Sequence, residues 1–231
     1  MKLLVIRTPN QLRLSTALAI LAALVFSLGP VARAGAQTLY KSSSQPHASS
    51  VRVNGTSTAH DWEMEGVFIG GTLDFGAGVK LDQAQADPAG LQDNKAPAKA
   101  HVIIPVRSIH AKVDHLPEVM DGLMQKAMKA DKFATIEFTL TSLTFKGPHT
   151  AGKPFNFETA GELSIAGVTN KVSFPVTIDC LEEGKIKVSG SAPLKMTAYG
   201  IEPPAPNFGL GLMKCGDDVK INFDWTLKER K

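Results

Sequence analysis

The feature that most restricts this chain is a period-two alternation of apolar side chains that recurs from residue 51 to the C-terminus. It is clearest at Val219, Ile221, Phe223, Trp225 and Leu227, each separated from the next by one polar or charged residue. Successive side chains of a strand point to opposite faces, so such a segment has one apolar face and one wet face. The same parity runs through Val172, Phe174, Val176, Ile178 and Cys180, through Ile136, Phe138 and Leu140, and through Trp62 and Met64. Val67, Ile69, Leu73 and Phe75 share it, with Gly66, Gly70, Gly71 and Gly76 as bulge or bend points. Phe155 and Phe157 lead into Leu163 and Ile165, and Glu182-Glu183-Gly184 reads as a hairpin turn into Ile186 and Val188. About eight antiparallel strands of this kind must protect their edges, most simply by closing into a barrel, with a two-sheet sandwich as the alternative.

One segment breaks the pattern. Leu116, Val119, Met120, Leu123, Met124 and Met128 recur at three- and four-residue intervals, which predicts one main helix over about 116–130. Lys126, Lys129 and Lys132 crowd its C-terminal end, where cations favour the helix dipole. Residues 82–98 are polar, contain Pro88 and Pro97, and lack periodicity, so they read as a long exposed loop, either a lid or an insertion. Asn54-Gly55 is read as a turn. The Ser- and Gln-rich stretch 37–50 is expected to be a flexible leader ahead of one domain over 51–231.

The N-terminus has the three parts of a cleavable export signal. Lys2, Arg7 and Arg13 supply positive charge, Leu14 to Leu28 is an apolar run, and Pro30 precedes small residues at Ala32, Ala34 and Ala36. Cleavage is expected after Ala34 or Ala36, making 1–36 a signal peptide and the destination the periplasm. A membrane anchor needs about 20 apolar residues, and this run is shorter. Of 25 basic and 22 acidic residues, four basic and no acidic ones fall in 1–36. The remainder carries 21 against 22, a formal charge of −1, which removes the electrostatic support for nucleic-acid binding. Export also bears on Cys180 and Cys215, which in an oxidising compartment read as a disulfide or, alternatively, as two buried thiols.

No catalytic constellation emerges. His47, His60, His101, His110, His115 and His149 include no i, i+4 pair on the helix, and H-E-x-x-H, C-x-x-C and G-x-S-x-G are missing. The chain is therefore expected to hold no metal and no catalytic cofactor, and not to be an enzyme. What it offers is apolar interior. A closed barrel of about eight strands is either filled by its own side chains or wide enough for one small ligand. Two segments favour a cavity: the Pro/Gly-rich stretch 200–216, which carries Phe208, Leu210, Leu212 and Met213, and the methionines of the helix.

Several blocks, in order over roughly residues 50–229, resemble the YceI-like family. They are Gly55-Thr56-Ser57-Thr58-Ala59-His60-Asp61-Trp62, Ile104-Pro105-Val106, Met120-Asp121, Lys129-Ala130-Asp131-Lys132-Phe133, the hairpin from Gly161 to Val172, Lys195 to Ile201, and Gly216-Asp217-Asp218-Val219. The resemblance implies a lipocalin-like antiparallel barrel, periplasmic and non-enzymatic, that binds an isoprenoid quinone or another polyisoprenoid lipid. Its partner would be this long-chain apolar small molecule; transient membrane contact and the oligomeric state, a dimer included, stay open. On this basis Trp62, Phe68, Phe138, Leu140, Val176, Met196, Tyr199 and Phe223 are expected to line the bore, with Phe208 and Leu212 at its mouth. The family's longer N-terminal strand pair is here compressed into His60–Phe75, and the 82–98 loop is unusually long, both of which are expected to alter the mouth.

Overall fold

In the computed structural model, which describes residues 37–84, 87–205 and 214–230, the alternating segments become strands. In chain order these are β1 (Thr38–Ser42), β2 (Ser50–Ser57), β3 (Trp62–Gly66), β4 (Gly70–Phe75), β5 (Lys95–Ala96), β6 (Ala98–Pro105) and β7 (Ile109–Ala111). The helix α1 (Pro117–Ala127) follows, then β8 (Thr135–Phe145), β9 (Phe155–Ile165), β10 (Val168–Leu181), β11 (Lys185–Lys195) and β12 (Cys215–Glu229). Strands β4, β6, β8, β9, β10, β11 and β12 are neighbours in that order, and β1 pairs with both β4 and β12. The result is a closed eight-stranded antiparallel barrel. Closure leaves no unpaired edge in the circuit.

Local chemistry sets the connections. The β9–β10 hairpin turns on Ala166 (φ 51°) and Gly167 (φ 84°), the paired positive φ values that match the right-handed twist of the flanking strands. Strand β12 is 15 residues long, enough to pair with β2 over its first part and with β1 at Leu227–Glu229. From β2 the sheet continues through β3 to β7, extra strands that extend the wall at one end of the barrel. Residues 37–50 are thus not merely a leader: they contain β1, which closes the circuit. Asn54-Gly55 is likewise not a turn but lies inside β2, between β3 and β12.

The two ends of the barrel differ. At the end formed by the C-terminus of β8 and the N-terminus of β9, Phe75, Phe145, Phe155, Phe157, Ile178 and Leu227 are at most 5% exposed. The Phe145 ring meets those of Phe155 and Phe157 at centroid distances of 6.5 and 5.5 Å. The described residues of 82–98, which include β5, lie at this end and not at the mouth: Gln83 Nε2 donates to Asp179 at 2.8 Å, and Gly152 N donates to the Gln83 carbonyl at 2.7 Å. His149 stacks on Phe155 at 4.2 Å and its backbone N–H donates to Asp87. This end is shut.

A candidate ligand-binding bore

Parity aims the apolar residues of every barrel strand inward, yet toward the other end they stop filling the space. Val53, Val102, Ile104, Phe138, Leu140, Ile221 and Phe223 face inward and pack against the core, but are only half-buried. Their free surface borders two cavities stacked along the barrel axis.

The deep cavity, about 120 Å³, is bounded by Val51, Leu73, Phe138, Leu140, Leu163, Phe174, Val176, Phe223 and Trp225, among others. The outer cavity, about 130 Å³, lies between the barrel wall and α1, bounded by Trp62, Met64, Met120, Met124, Met128, Met196 and Tyr199. Val53, Ile109, Ile136 and Ile221 border both and form the neck between them. Their walls are apolar surface throughout. The charged residue at the outer cavity, Lys195, offers its hydrocarbon stem while its ammonium pairs with Asp218 at 2.7 Å. For scale, an apolar cavity of about 150 Å³ stays dry and takes up benzene.

The roof of the outer cavity is held by a few directed bonds. The Asp121 carboxylate on α1 accepts the Ala111 N–H at 2.7 Å and meets His110 Nδ1 at 2.7 Å, tying the helix to β7. Arg107 donates to Gln125 at 2.7 Å and pairs with Asp131 beyond the helix. Beside α1, the turn Thr197–Tyr199 is pinned by Asp217, which accepts the Thr197 N–H and hydroxyl at 2.8 and 2.7 Å. These bonds, the backbone one foremost, hold the Asp217 carboxyl below its ordinary range. The turn places Tyr199 at 3% exposure, and burial pushes its phenol up.

Outside the roof lies an open cleft of about 1020 Å³ with a mixed lining, in which His60, Asp61, Lys112, Asp114, His115, Lys214 and Asp218 stand beside apolar residues such as Trp62 and Met120. It shares Trp62, Met120, Cys215 and Val219 with the outer cavity, so this mixed vestibule and the apolar bore adjoin. Leu116 and Val119, 67% and 42% exposed, stand on its rim. Among the described residues no three His, Cys, Asp or Glu side chains are grouped to hold a metal ion.

The residues expected to line the bore are mostly brought together. Phe138, Leu140, Val176 and Phe223 border the deep cavity, and Trp62, Met196 and Tyr199 the outer one. Phe68 is a correction: it is 54% exposed. Strand β3 ends at Gly66 and β4 begins at Gly70; in the connection Ile69 turns inward (3% exposed), which sends its neighbour Phe68 outward. Phe208 and Leu212 lie outside the described residues, as does the expected signal peptide.

The disulfide is a second correction, since both cysteines are free thiols. Cys180 pairs across to Ile186, which pairs to Leu227, whereas Cys215 begins the same strand β12 twelve residues earlier. At about 3.3 Å per residue their levels lie roughly 40 Å apart along β12, far beyond the Cα separation of about 4.4–6.8 Å that a bridge needs. Sequence reasoning passed over Val53, Ile109, Ile136 and Ile221 at the neck. Parity marks them as inward-facing; only the strand register brings them to one level.

A comparison with curated proteins found no match. Among solved structures, Burkholderia cenocepacia BcnA is similar at 19% identity and a TM-score of 0.53, over 77% of this chain and 95% of its own. A polyisoprenoid-binding domain from Saccharophagus degradans, implicated in plant cell wall breakdown, is similar at 13% identity and a TM-score of 0.54, over 84% of this chain and 99% of its own. At these identities the likeness concerns the fold. The profile of the YceI-like domain matches residues 43–227, nearly the whole barrel, and the chain belongs to the YceI-like family.

Proposed function

We propose that this protein is exported to the periplasm, freed of residues 1–36 by cleavage after Ala34 or Ala36, and there carries a long apolar lipid of the isoprenoid type. The observation that carries this reading is the pair of stacked cavities with wholly apolar walls, one roofed by the methionines of α1. Burying hydrocarbon is worth about 25 cal/mol per Å², so a chain in such a bore needs few polar contacts. The tail would occupy the bore and the head group the vestibule, where amino, imidazole and carboxylate groups meet water. The fold shared with the Saccharophagus degradans polyisoprenoid-binding domain supports the same class of ligand. Exposed Leu116 and Val119 on the vestibule rim suit transient contact with a membrane at loading. The role is binding rather than catalysis.

Native mass spectrometry of protein taken from its own periplasm, with lipid extraction, tests this. The expected result is a mass above that of the processed chain and an isoprenoid lipid in the extract. A clean apo mass, together with no uptake of isoprenoid quinones or prenyl phosphates, overturns the reading.

A further inference from the structure

Three strand glycines, Gly55 on β2, Gly161 on β9 and Gly190 on β11, each lie beneath an aromatic ring that borders the bore, and the ring occupies the place a side chain would take. A Cβ on Gly55 would stand 2.2 Å from the Trp62 ring, on Gly161 2.4 Å from that of Phe138, and on Gly190 2.6 Å from that of Phe223. Gly55 is directly opposite Trp62 and Gly190 directly opposite Phe223, while Gly161 takes Phe138 diagonally beside a register shift. None of the three has a positive φ, so the backbone does not require glycine there. Glycine inside a strand costs stability, and what it provides here is room. Each ring covers its glycine and occupies the space that a side chain there would need.

We propose that Gly55, Gly161 and Gly190 determine the ligand specificity of the bore by keeping the three rings out of the lumen, and so set the longest apolar chain it accepts. This rests on the lipid-binding reading above. Gly190 and Gly161 act on the deep cavity, bordered by Phe223 and Phe138; Gly55 acts at the entrance, bordered by Trp62. A phenyl ring is the size of benzene, the ligand that fills an apolar cavity of about 150 Å³. One ring swung inward therefore closes a chamber of about 120 Å³.

Gly190→Ala is the cleanest test in the deep cavity, because the three nearest atoms its Cβ would meet belong to side chains, Phe223 and Val176, whereas at Gly161 the Thr139 carbonyl stands 2.5 Å away. Binding of ubiquinones with short and long isoprenoid tails to the purified processed protein is compared by native mass spectrometry and Trp fluorescence. Gly190→Ala is expected to weaken the long-tailed quinone by about tenfold or more while the short-tailed one is held nearly as before. Gly55→Ala is expected to weaken both. Gly190→Ala/Phe223→Leu, which removes the displaced ring, restores the long chain and guards against a mere folding defect. Gly122→Ala, on α1 with open space at its Cβ position, changes neither. Equal loss for both tail lengths in Gly190→Ala, or no recovery on Phe223→Leu, overturns the glycine assignment while wild-type binding keeps the functional reading. Failure of the wild type to bind either quinone overturns both.

Discussion

The shut and open ends of the barrel are built from the same alternating strands, and one is solid while the other is hollow. At the shut end Phe157 lies opposite Phe145 on one side and Val176 on the other, and Phe155 opposite Ile178. With large partners across the strand, those rings project inward and fill the lumen, at 0–1% exposure. Toward the open end Trp62 and Phe223 lie opposite glycines, cover them and stay half-buried. At these positions the cross-strand neighbour separates core from lining: a large partner goes with a ring that is buried, a glycine with one that is half-buried.

The largest effect is expected at the shut end. Phe155→Ala should cost about 3–5 kcal/mol of stability in a urea titration, and a cost near 1 kcal/mol would mean the shut end is not close-packed. Asp121→Ala, which leaves the Ala111 N–H without its acceptor and frees the roof helix, should cost about 1–3 kcal/mol. It should also speed ligand release in stopped-flow measurements more than any change at the shut end. Met124→Ala, at a half-buried residue beside an existing cavity, should cost less than about 2 kcal/mol yet weaken lipid binding. Equal stability losses for Met124→Ala and Phe155→Ala would erase the distinction between the ends.

Alkaline pH should act on the shut end. Burial, with help from Glu229 and Cys180, pushes the Tyr40 phenol up from 10.0 to about 12. Burial, with Asp179 and Asp82, pushes the Cys180 thiol from 9.0 to about 11. Both groups are held neutral by the fold, and the unfolded chain loses these protons first as pH rises. Their stabilisation is therefore complete below pH 9 and falls between pH 9 and 12. Urea midpoints should decline over that window, and less steeply in Tyr40→Phe. The smallest effect concerns the thiols. Cys215 borders the vestibule and should react with a neutral maleimide faster than Cys180, whose Sγ–H points to the Leu81 carbonyl at 3.7 Å. Bound lipid should slow Cys215 alone.

Much of this was legible in the residues. Alternation named the strands and their inward faces because the side-chain period of a strand is fixed, and Leu116 to Met128 named the helix, observed at Pro117–Ala127 with Met128 as its cap. Blocks such as Met120-Asp121 pointed to the family, and Asp121 proves to be the helix clamp. The resemblance places Phe68 in the bore, against the parity that sets its neighbour Ile69 inward, and the structure follows the parity. The disulfide failed because two inward-looking cysteines carry no information about height along a barrel. Asn54-Gly55 failed because a strand glycine needed by a facing Trp looks the same in sequence as a turn glycine.

Sequence by itself therefore determined most of the strands, the helix, their inward faces and the family, all of which follow from local period and ordered motifs. The tertiary structure alone decided which end is filled, that β1 closes the circuit, that the thiols stand far apart, and which glycine backs which ring. Those depend on cross-strand register, and register joins residues as far apart as Arg52 and Asn222, a relation no local pattern contains.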